Sequence, residues 1–351
     1  MPFKRETDDM GWLPSLLGGL WHGLRGVARA ALYGLTLLAL LTLLLLWWTS
    51  RPVSLKERTV LVIAPQGALM EQVRSSPRER LIQQLQGRGG AEPSLPQWLR
   101  ALDRAAEDPH IGSVLLRLDG LGAAGLAQQR ELAAAVLRFR ASGKKVVVWS
   151  TQYSQRAYYI AAHADEVYLH PMGAVQVAGY GRLRNYYRDA LDRAGLQVQL
   201  VRAGEFKNAA EPFVANGPSQ ETQQSDAALQ QALWGVYHEG VEKARRLPAG
   251  QLHKLIESLP DSLSAAGGDP ARWALDNKLI DGLMTPDALR TLMLDRGTRD
   301  EANKSFRQIS LAAYLERWPE ATQGDGVAVV VAEGEIVSTK AGPACSTSRT
   351  T

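Results

Sequence analysis

The chain is almost free of cysteine, since Cys345, close to the C-terminus, is the only one among 351 residues. A disulfide framework and a cysteine-based metal site are therefore excluded. An excess of one charge is also missing, because the formal net charge is only +4 and the basic residues are scattered. That pattern argues against a nucleic acid as partner. The six histidines show no metal-ligand spacing such as H-E-x-x-H, and we expect neither a metal nor a cofactor.

One long apolar run is present, and it lies near the N-terminus. Residues 30–48 contain no charged side chain and have a leucine-rich centre. A helix of this length roughly matches the ~30 Å hydrocarbon core of a bilayer. Trp47 and Trp48 end the run, where aromatic rings favour the membrane interface. The run predicts an uncleaved transmembrane anchor, with residues 1–29 in the cytoplasm. A cleaved signal peptide is the alternative, but no small-x-small cleavage site follows the run.

Short apolar runs alternate with amphipathic stretches after the anchor. The predicted strands are residues 59–64, 114–118, 145–149 and 166–169. Helices are predicted from Pro96 to Asp108 and over residues 126–139 and 157–164. This alternation predicts an α/β fold of right-handed βαβ units around a mostly parallel sheet. The chain from 218 to 296 is predicted to be largely helical, most clearly over residues 223–244 and 269–279.

The C-terminal part repeats a pattern from the start of the sheet. Residues 327–337 and residues 60–70 both run through five apolar residues, a break and a glycine. The repeat is interpreted as the truncated beginning of a second copy, with coincidence between two buried strands as the alternative. Residues 338–351 form a Ser/Thr-rich tail without periodicity and are predicted to be irregular.

Four segments then resemble one known family. The more specific two are Val201-Arg-Ala-Gly-Glu-Phe-Lys-Asn-Ala-Ala-Glu-Pro-Phe213 and the run from Gly268 to Gly282 that contains Asp-Asn-Lys-Leu-Ile-Asp-Gly. Asn185–Gly195 leads into the first of these, and the other two segments are the anchor with the Thr59–Gly67 strand and the Lys144–Pro171 run, which ends in His-Pro. In their order along the chain, the four segments resemble the signal peptide peptidase A family, the long protease IV type, over nearly the whole chain.

The resemblance implies a ClpP/crotonase-like superhelix over residues 56–215, followed by a helical extension over 216–322. It implies a serine-type endopeptidase that hydrolyses remnant signal peptides through a Ser/Lys dyad. Lys207 corresponds to the general base of that dyad, and the serine belongs to a second, homologous half. The family forms homo-oligomers tethered to the inner membrane, so the implied partners are peptides, a lipid bilayer and further copies, with the main domain in the periplasm.

The chemistry of the dyad needs a base for the serine hydroxyl and donors for the oxyanion. A lysine amine serves as that base when burial lowers its pKa from ~10.4. No nucleophile is assigned in this chain, because alignment with the second half puts Gln155 at the serine position. Ser154 is one residue away on a predicted helix, and Ser150 is expected to be a turn residue or a helix cap. Gln155 and Arg156 are expected to crowd an oxyanion site.

Three functional hypotheses remain open at this point. The first is a serine peptidase of which this chain carries the base. The second is an inactive membrane-bound scaffold or peptide-binding fragment. The third, more remote hypothesis is an acyl-CoA enzyme on the same fold class, against which the predicted anchor stands.

Overall fold

The computed structural model describes residues 32–45, 55–71 and 94–318. Two units are distinguished, one ending at Leu55 and one beginning at Lys56. Residues 32–45 of the first unit form a helix, and the rest of the predicted anchor lies outside the described residues. A search of the described ranges finds no helix with the length and apolarity needed to cross a membrane. The predicted repeat at 327–337 and the tail at 338–351 also lie outside those ranges.

A six-stranded parallel sheet forms the centre of the second unit. Its strands lie in the order β5-β4-β3-β2-β1-β8. The bounds are β1 Thr59–Ile63, β2 Ile111–Arg117, β3 Lys145–Ser150, β4 Glu166–Leu169, β5 Gly282–Leu283 and β8 Gln308–Ser310. Every pairing in this sheet is parallel. The predicted α/β fold with a mostly parallel sheet is therefore confirmed.

Helices connect the first four strands and cover one face of the sheet. The three connecting helices are α1 Leu95–Glu107, α2 Leu126–Ala141 and α3 Gln155–Ala161. Helix α1 packs on α2, and α2 packs on α3. Leu102 and Phe139 are completely buried, as a layer pressed against a sheet requires. Residues such as Val146 and Val148 can be apolar because both faces of a parallel sheet are covered.

The helical region after β4 begins with two short helices, α4 Arg188–Arg193 and α5 Glu211–Val214. Next come α6 Gln220–Arg245, α7 Gln251–Glu257, α8 Leu259–Ala265 and α9 Pro270–Asp276. Helix α6 begins where the Ser219 hydroxyl accepts a hydrogen bond from the amide of Thr222. It ends at Arg246, which has a left-handed backbone conformation.

The last elements return the chain to the sheet. Helix α10 Pro286–Arg296 covers the second face, where Leu289 and Met293 pack in one cluster with Val147 and Trp149. A short antiparallel pair follows, β6 Arg299–Asp300 with β7 Ser305–Phe306. Strand β8 and helix α11 Leu311–Glu316 end the described chain. The helical extension predicted for residues 216–322 thus also contains four short strands.

Candidate active site

The carboxyl ends of β2 and β3 meet at one edge of the sheet, where parallel α/β folds place ligands. Asp119, just after β2, accepts hydrogen bonds of 2.6 Å from both the backbone amide and the hydroxyl of Thr151. The Ser150 hydroxyl lies 3.2 Å from the same carboxylate oxygen. Asp119 therefore fixes the loop that leads from β3 to α3.

Two backbone segments approach each other closely at this edge. The amide of Gly67 donates to the carbonyl of Gly120 over 2.8 Å, and the amide of Gly122 donates to the carbonyl of Gly67 over 2.6 Å. A β-carbon at Gly120 would collide with the carbonyl oxygen of Pro65. The close approach requires glycine at position 120, and the amide of Gly122 is already bonded within the fold.

The two serines of the sequence analysis have structural roles at this edge. The Ser154 hydroxyl accepts a 3.3 Å hydrogen bond from the amide of Ala157 as the N-cap of α3. Ser150 is completely buried, and its hydroxyl donates over 2.7 Å to the carbonyl of Gln152. Ser150 thus makes the turn contact that was one of its two predicted roles. Among the residues that the structure describes, neither hydroxyl has a basic side chain as hydrogen-bond partner.

Gln155, at the aligned serine position, is folded back onto the following loop. Its side-chain oxygen accepts hydrogen bonds of 2.9 Å from the amides of Ala178 and Gly179. Its side-chain nitrogen donates over 3.1 Å to the carbonyl of Gly179. Gln155 thus forms a clamp, in which one side-chain amide bonds three backbone groups, and the predicted crowding of an oxyanion site stays a prediction.

Lys207 lies in a turn between α4 and α5, and its side chain is exposed. The turn is closed by a 3.4 Å hydrogen bond from the amide of Lys207 to the carbonyl of Gly204. Gly204 has a φ of 100°, a conformation that L-residues rarely adopt. Within the described part of the chain, Lys207 forms no ion pair and its ammonium makes no hydrogen bond.

A buried polar network holds the turn that carries Lys207. Glu211 is 5% exposed, and its two oxygens accept hydrogen bonds of 2.7 Å from the Ser219 amide and the Thr222 hydroxyl. The side chain of Asn208 donates over 3.1 Å to the same Thr222 hydroxyl. The Arg184 guanidinium lies 3.7 Å from Glu211 and donates to the Asn208 carbonyl over 3.3 Å.

The ionised form of Glu211 is favoured by this network. Burial raises the pKa of the Glu211 carboxyl, but hydrogen bonds from Ser219 and Thr222 and the charge of Arg184 outweigh burial. The pKa of Glu211 is therefore lowered. The carboxylate is directed at the start of α6, where Ser219 and Thr222 donate to it.

Helix α6 connects the Lys207 turn to the edge of the sheet. Thr222, near its N-terminus, bonds Asn208, whereas the Tyr237 hydroxyl donates over 2.9 Å to the carbonyl of Gln155. Fifteen residues separate Thr222 from Tyr237, which is about 22 Å of helix. The Lys207 turn and the start of α3 are thus attached to different ends of one rigid element.

Aromatic rings fix α6 against α3 and α7. Tyr237 is completely buried, with its ring 5.4 Å from Tyr159 and 5.6 Å from Trp234. The Trp234 indole donates over 3.0 Å to Nδ1 of His253. Among the described residues, no group of three His, Cys, Asp or Glu side chains is arranged to hold a metal ion. The rings of His238 and His253 both lie against Trp234.

Sequence reasoning missed part of this arrangement. Arg184, Ser219 and Thr222 were not singled out, although Ser219 and Thr222 have the residue types that begin helices. The clamp formed by Gln155 was also missed, because the partners Ala178 and Gly179 offer only backbone groups. No sequence signal identifies such backbone partners.

Comparison with known proteins finds one family. Residues 138–297, which include Lys207, match the model of peptidase family S49. Protease 4 of Salmonella typhi is 30% identical over 246 residues, covering 70% of this chain and 40% of that protein. Protease 4 of Haemophilus influenzae is 27% identical, covering 68% of this chain and 39% of that protein. The chloroplastic serine protease SPPA of Arabidopsis thaliana is 23% identical, covering 75% of this chain and 38% of that protein.

Solved structures are more distant. A membrane-bound stomatin-specific protease in complex with a substrate peptide is 10% identical, with a TM-score of 0.36, covering 72% of this chain and 91% of that chain. An enoyl-CoA hydratase of Mycobacterium smegmatis is 15% identical, with a TM-score of 0.21, covering 59% of this chain and 87% of that chain. Likenesses of this degree bear on neither the activity nor the ligands of this chain.

Support for the family comes from the sequence comparisons, not from the solved structures. This chain spans about two fifths of the length of the curated relatives that it matches. The family match covers β3, β4 and the turn that holds Lys207, together with helix α6. The chain matches the model of peptidase family S49 over residues 138–297 and is a homologue of protease 4.

Proposed function

We propose that this chain is the lysine-bearing part of a membrane-anchored serine endopeptidase that hydrolyses remnant signal peptides. Lys207 acts as the general base, and the serine nucleophile comes from another polypeptide segment or another subunit. The observation that supports the proposal is the difference between the backbone and the side chain of Lys207. A buried network fixes the backbone of the turn, whereas the side chain is exposed and unpaired among the described residues.

A fixed backbone with an exposed amine is what a general base needs when its nucleophile comes from another unit. An exposed lysine on an ordinary loop gains nothing from a buried carboxylate and a partly buried arginine beneath it, since burying charged groups is costly. A turn that must hold an amine within hydrogen-bond reach of an incoming hydroxyl does need such support. Glu211, Thr222 and Arg184 supply that support without contacting the amine itself.

The serines at the sheet edge support a nucleophile from elsewhere. Ser154 is engaged as a helix cap and Ser150 is buried in a turn contact. In addition, Ser154 begins α3, which is bonded to α6 at Tyr237, far along the helix from Thr222. The clamp of Gln155 on the 178–179 backbone fits a copy of the fold that no longer presents a nucleophile.

The proposed reaction follows the usual course of serine acyl transfer. The serine hydroxyl attacks the peptide carbonyl carbon, and its proton passes to the Lys207 amine. The protonated amine then gives this proton to the leaving amine nitrogen as the peptide bond breaks. Water hydrolyses the resulting acyl-enzyme, with Lys207 again accepting the proton. Contact with the serine-bearing unit would also exclude water from the site of acyl transfer.

The remaining parts of the proposal concern architecture and location. The parallel sheet with its covering helices is proposed to be a ClpP/crotonase-like unit, followed by the helical extension. Residues 30–48 are proposed to anchor the chain in the inner membrane with the main unit in the periplasm. Further copies of the chain complete a homo-oligomer. The start of a second copy predicted at residues 327–337 belongs to the same proposal.

Peptide hydrolysis by the purified full chain, isolated from membranes with its associated proteins, tests the proposal. A fluorogenic apolar peptide should be cleaved, and Lys207→Ala should reduce the rate about 10²–10⁴-fold, the usual contribution of a general base. Ser154→Ala and the matched surface variant Lys254→Ala should leave the rate unchanged. Loss of activity in Ser154→Ala would assign the nucleophile to this chain and contradict the proposal.

An inactive scaffold or peptide-binding fragment is the second candidate, favoured by the engaged state of Ser154 and Gln155. In that case the membrane-purified protein would cleave no peptide, although it would still bind one. Fluorescence anisotropy with the same peptide distinguishes the two candidates.

A further inference from the structure

Helices α6 and α7 are joined by a hydrogen bond between two rings. The indole N–H of Trp234 on α6 donates over 3.0 Å to Nδ1 of His253 on α7. An indole nitrogen only donates, so Nδ1 of His253 must be the acceptor and can carry no proton. The other ring nitrogen, Nε2, lies 3.3 Å from a carboxylate oxygen of Glu257, which suits a proton on that nitrogen. The bond therefore requires a neutral His253.

The Trp234 ring also lies beside the loop that Gln155 clamps. It stacks on Tyr237 with the ring centroids 5.6 Å apart, and the Tyr237 hydroxyl donates to the carbonyl of Gln155. A β-carbon on Gly179 would lie 4.0 Å from the indole ring. Gly179 is one of the two residues whose amides donate to the Gln155 side chain. The position of the indole thus bears on the loop at residues 178–179.

A proton on Nδ1 of His253 would place two N–H donors 3.0 Å apart with no acceptor between them. We propose that the Trp234–His253 hydrogen bond, the indole latch, opens when His253 takes up a proton as the pH falls, and that the Trp234 ring then moves away from the loop at 178–179. The side chain of His253 is 49% exposed, so protons reach it from solvent without unfolding. Histidine is the side chain whose charge ordinarily changes between about pH 5 and 8.

A second contact between α6 and α7 does not involve His253, and it decides which partner moves. Glu242 on α6 is 4% exposed, and its two oxygens accept hydrogen bonds of 2.9 and 2.8 Å from the amides of Gly250 and Leu252. These bonds fix the first turn of α7 to α6 whatever the charge of His253. The Trp234 side chain is only half-buried. The indole ring, and not helix α7, is therefore the part that moves when the latch opens.

The charged groups around His253 permit the uptake of a proton. On α7 itself, the Glu257 carboxylate faces Nε2. From α6, the ring of His238 lies 6.3 Å from that of His253, and its Nδ1 is 3.5 Å from Glu242. The charged residue of α8 is Asp261, which forms no ion pair with His253 within the described chain. A proton on His253 thus meets a carboxylate on one side and, on the other, a histidine whose own charge Glu242 would balance.

The indole latch is independent of the proposed peptidase chemistry, since none of its residues belongs to the Lys207 turn. Its effect would be to make the loop beside the start of α3 sensitive to acidity. The proposal can therefore be tested, and can fail, whether or not the chain contributes to peptide hydrolysis.

Nuclear magnetic resonance of the full chain in mild detergent, with ¹⁵N-labelled tryptophan, tests the latch. The indole N–H signal of Trp234 is identified by its absence in Trp234→Phe and should shift as the pH falls from about 8 to 5. His253→Asn places an acceptor oxygen near the position of Nδ1 but cannot titrate, so the shift should disappear. His110→Asn is the matched control, because His110 has a similar exposure (47%) and also contacts a carboxylate. It should leave the shift unchanged.

Hydrogen–deuterium exchange of a peptide that covers residues 178–179 gives the second readout. After correction for the chemical pH dependence of exchange, the wild type should exchange about two- to tenfold faster at the lower pH, the effect of losing one ordinary hydrogen bond. His253→Asn should keep the slow rate at both pH values. Trp234→Phe, which retains a ring but has no N–H, should show the fast rate at both. Circular dichroism checks that every variant is folded.

Three results would overturn the proposal. The first is a Trp234 indole signal that does not change over this pH range in the wild type. The second is the same change in His253→Asn, which would assign the titration to another group such as His238. The third is a shift of the indole signal without any change in the exchange of residues 178–179, which would mean that the ring stays beside the loop.

Discussion

The Thr222 hydroxyl donates a 2.7 Å hydrogen bond to the buried carboxylate of Glu211 and accepts one of 3.1 Å from Asn208. The Thr222 side chain, at the start of helix α6, thus joins Asn208 and Glu211, which both lie in the segment directly after Lys207. Because Thr222 is only 1% exposed, no water is available to replace these bonds at low cost. The turn that carries Lys207 is therefore part of the folded core, although Lys207 itself is not.

Removing the Thr222 hydroxyl should destabilise the protein. Thr222→Val keeps the volume but leaves the Glu211 oxygen and the Asn208 amide without their partner, which costs about 1–3 kcal/mol. Thr222→Ser keeps the hydroxyl and should lose less. Urea unfolding followed by circular dichroism measures both variants. Equal stabilities of the valine variant and the wild type would contradict the structural role given to this network.

The stability supplied by Glu211 should depend on pH in a defined direction. Its pKa in the folded protein is lowered, below the ~4.3 of an unperturbed glutamate. Since the unfolded chain binds the proton more tightly, the contribution is fully present above pH ~4.3 and is lost as pH falls through the lower folded value. The unfolding free energies of wild type and Glu211→Gln should therefore differ at pH 7 and converge below pH 4.

The Gln155 side chain should protect the amides of Ala178 and Gly179 from hydrogen exchange. Gln155→Ala leaves the amides of Ala178 and Gly179 without the side-chain oxygen that both donate to. Hydrogen–deuterium exchange in a peptide covering these two amides should become at least tenfold faster. Arg156→Ala, at the exposed neighbouring position, should leave the exchange rate unchanged. Unaltered exchange in the Gln155 variant would show that the clamp does not persist in solution.

Gly120→Ala should be strongly unfavourable, because the added methyl group would meet the carbonyl oxygen of Pro65. Forcing extra atoms into a packed site costs about 1–3 kcal/mol. Gly181→Ala is the matched control, since a β-carbon there meets no atom within 4 Å. Thermal unfolding of the two variants measures the difference. A Gly120 variant as stable as the Gly181 variant would mean that the two backbone segments are free to separate.

The sequence predicted the centre of the fold well, and for a physical reason. Strands β1 to β4 are apolar runs bounded by turn residues, and each is followed by helix-forming residues, so the periodicity itself changes at the boundaries. Strands β5 and β8 have two and three residues, too few to show any periodicity. They are strands only because β4 and β1 lie beside them.

The candidate site could be predicted only in part. The turn with Lys207 was found through its resemblance to a family, and its assignment as general base stays a proposal. The support beneath it depends on long-range contacts, such as that of Arg184 with Glu211 and Asn208, which no local pattern contains. Helix α3 was predicted to begin at residue 157 but begins at Gln155, because the Ser154 hydroxyl caps it.

Labelling with a fluorophosphonate, which reacts with activated serines, tests the central claim most directly. The claim is that Lys207 activates a serine that this chain does not itself provide. In the membrane-purified assembly, the label should fall on such a serine, and Lys207→Ala should slow the labelling at least 100-fold while Lys254→Ala does not. Labelling of Ser154 or Ser150, or labelling at an undiminished rate in Lys207→Ala, would contradict the account.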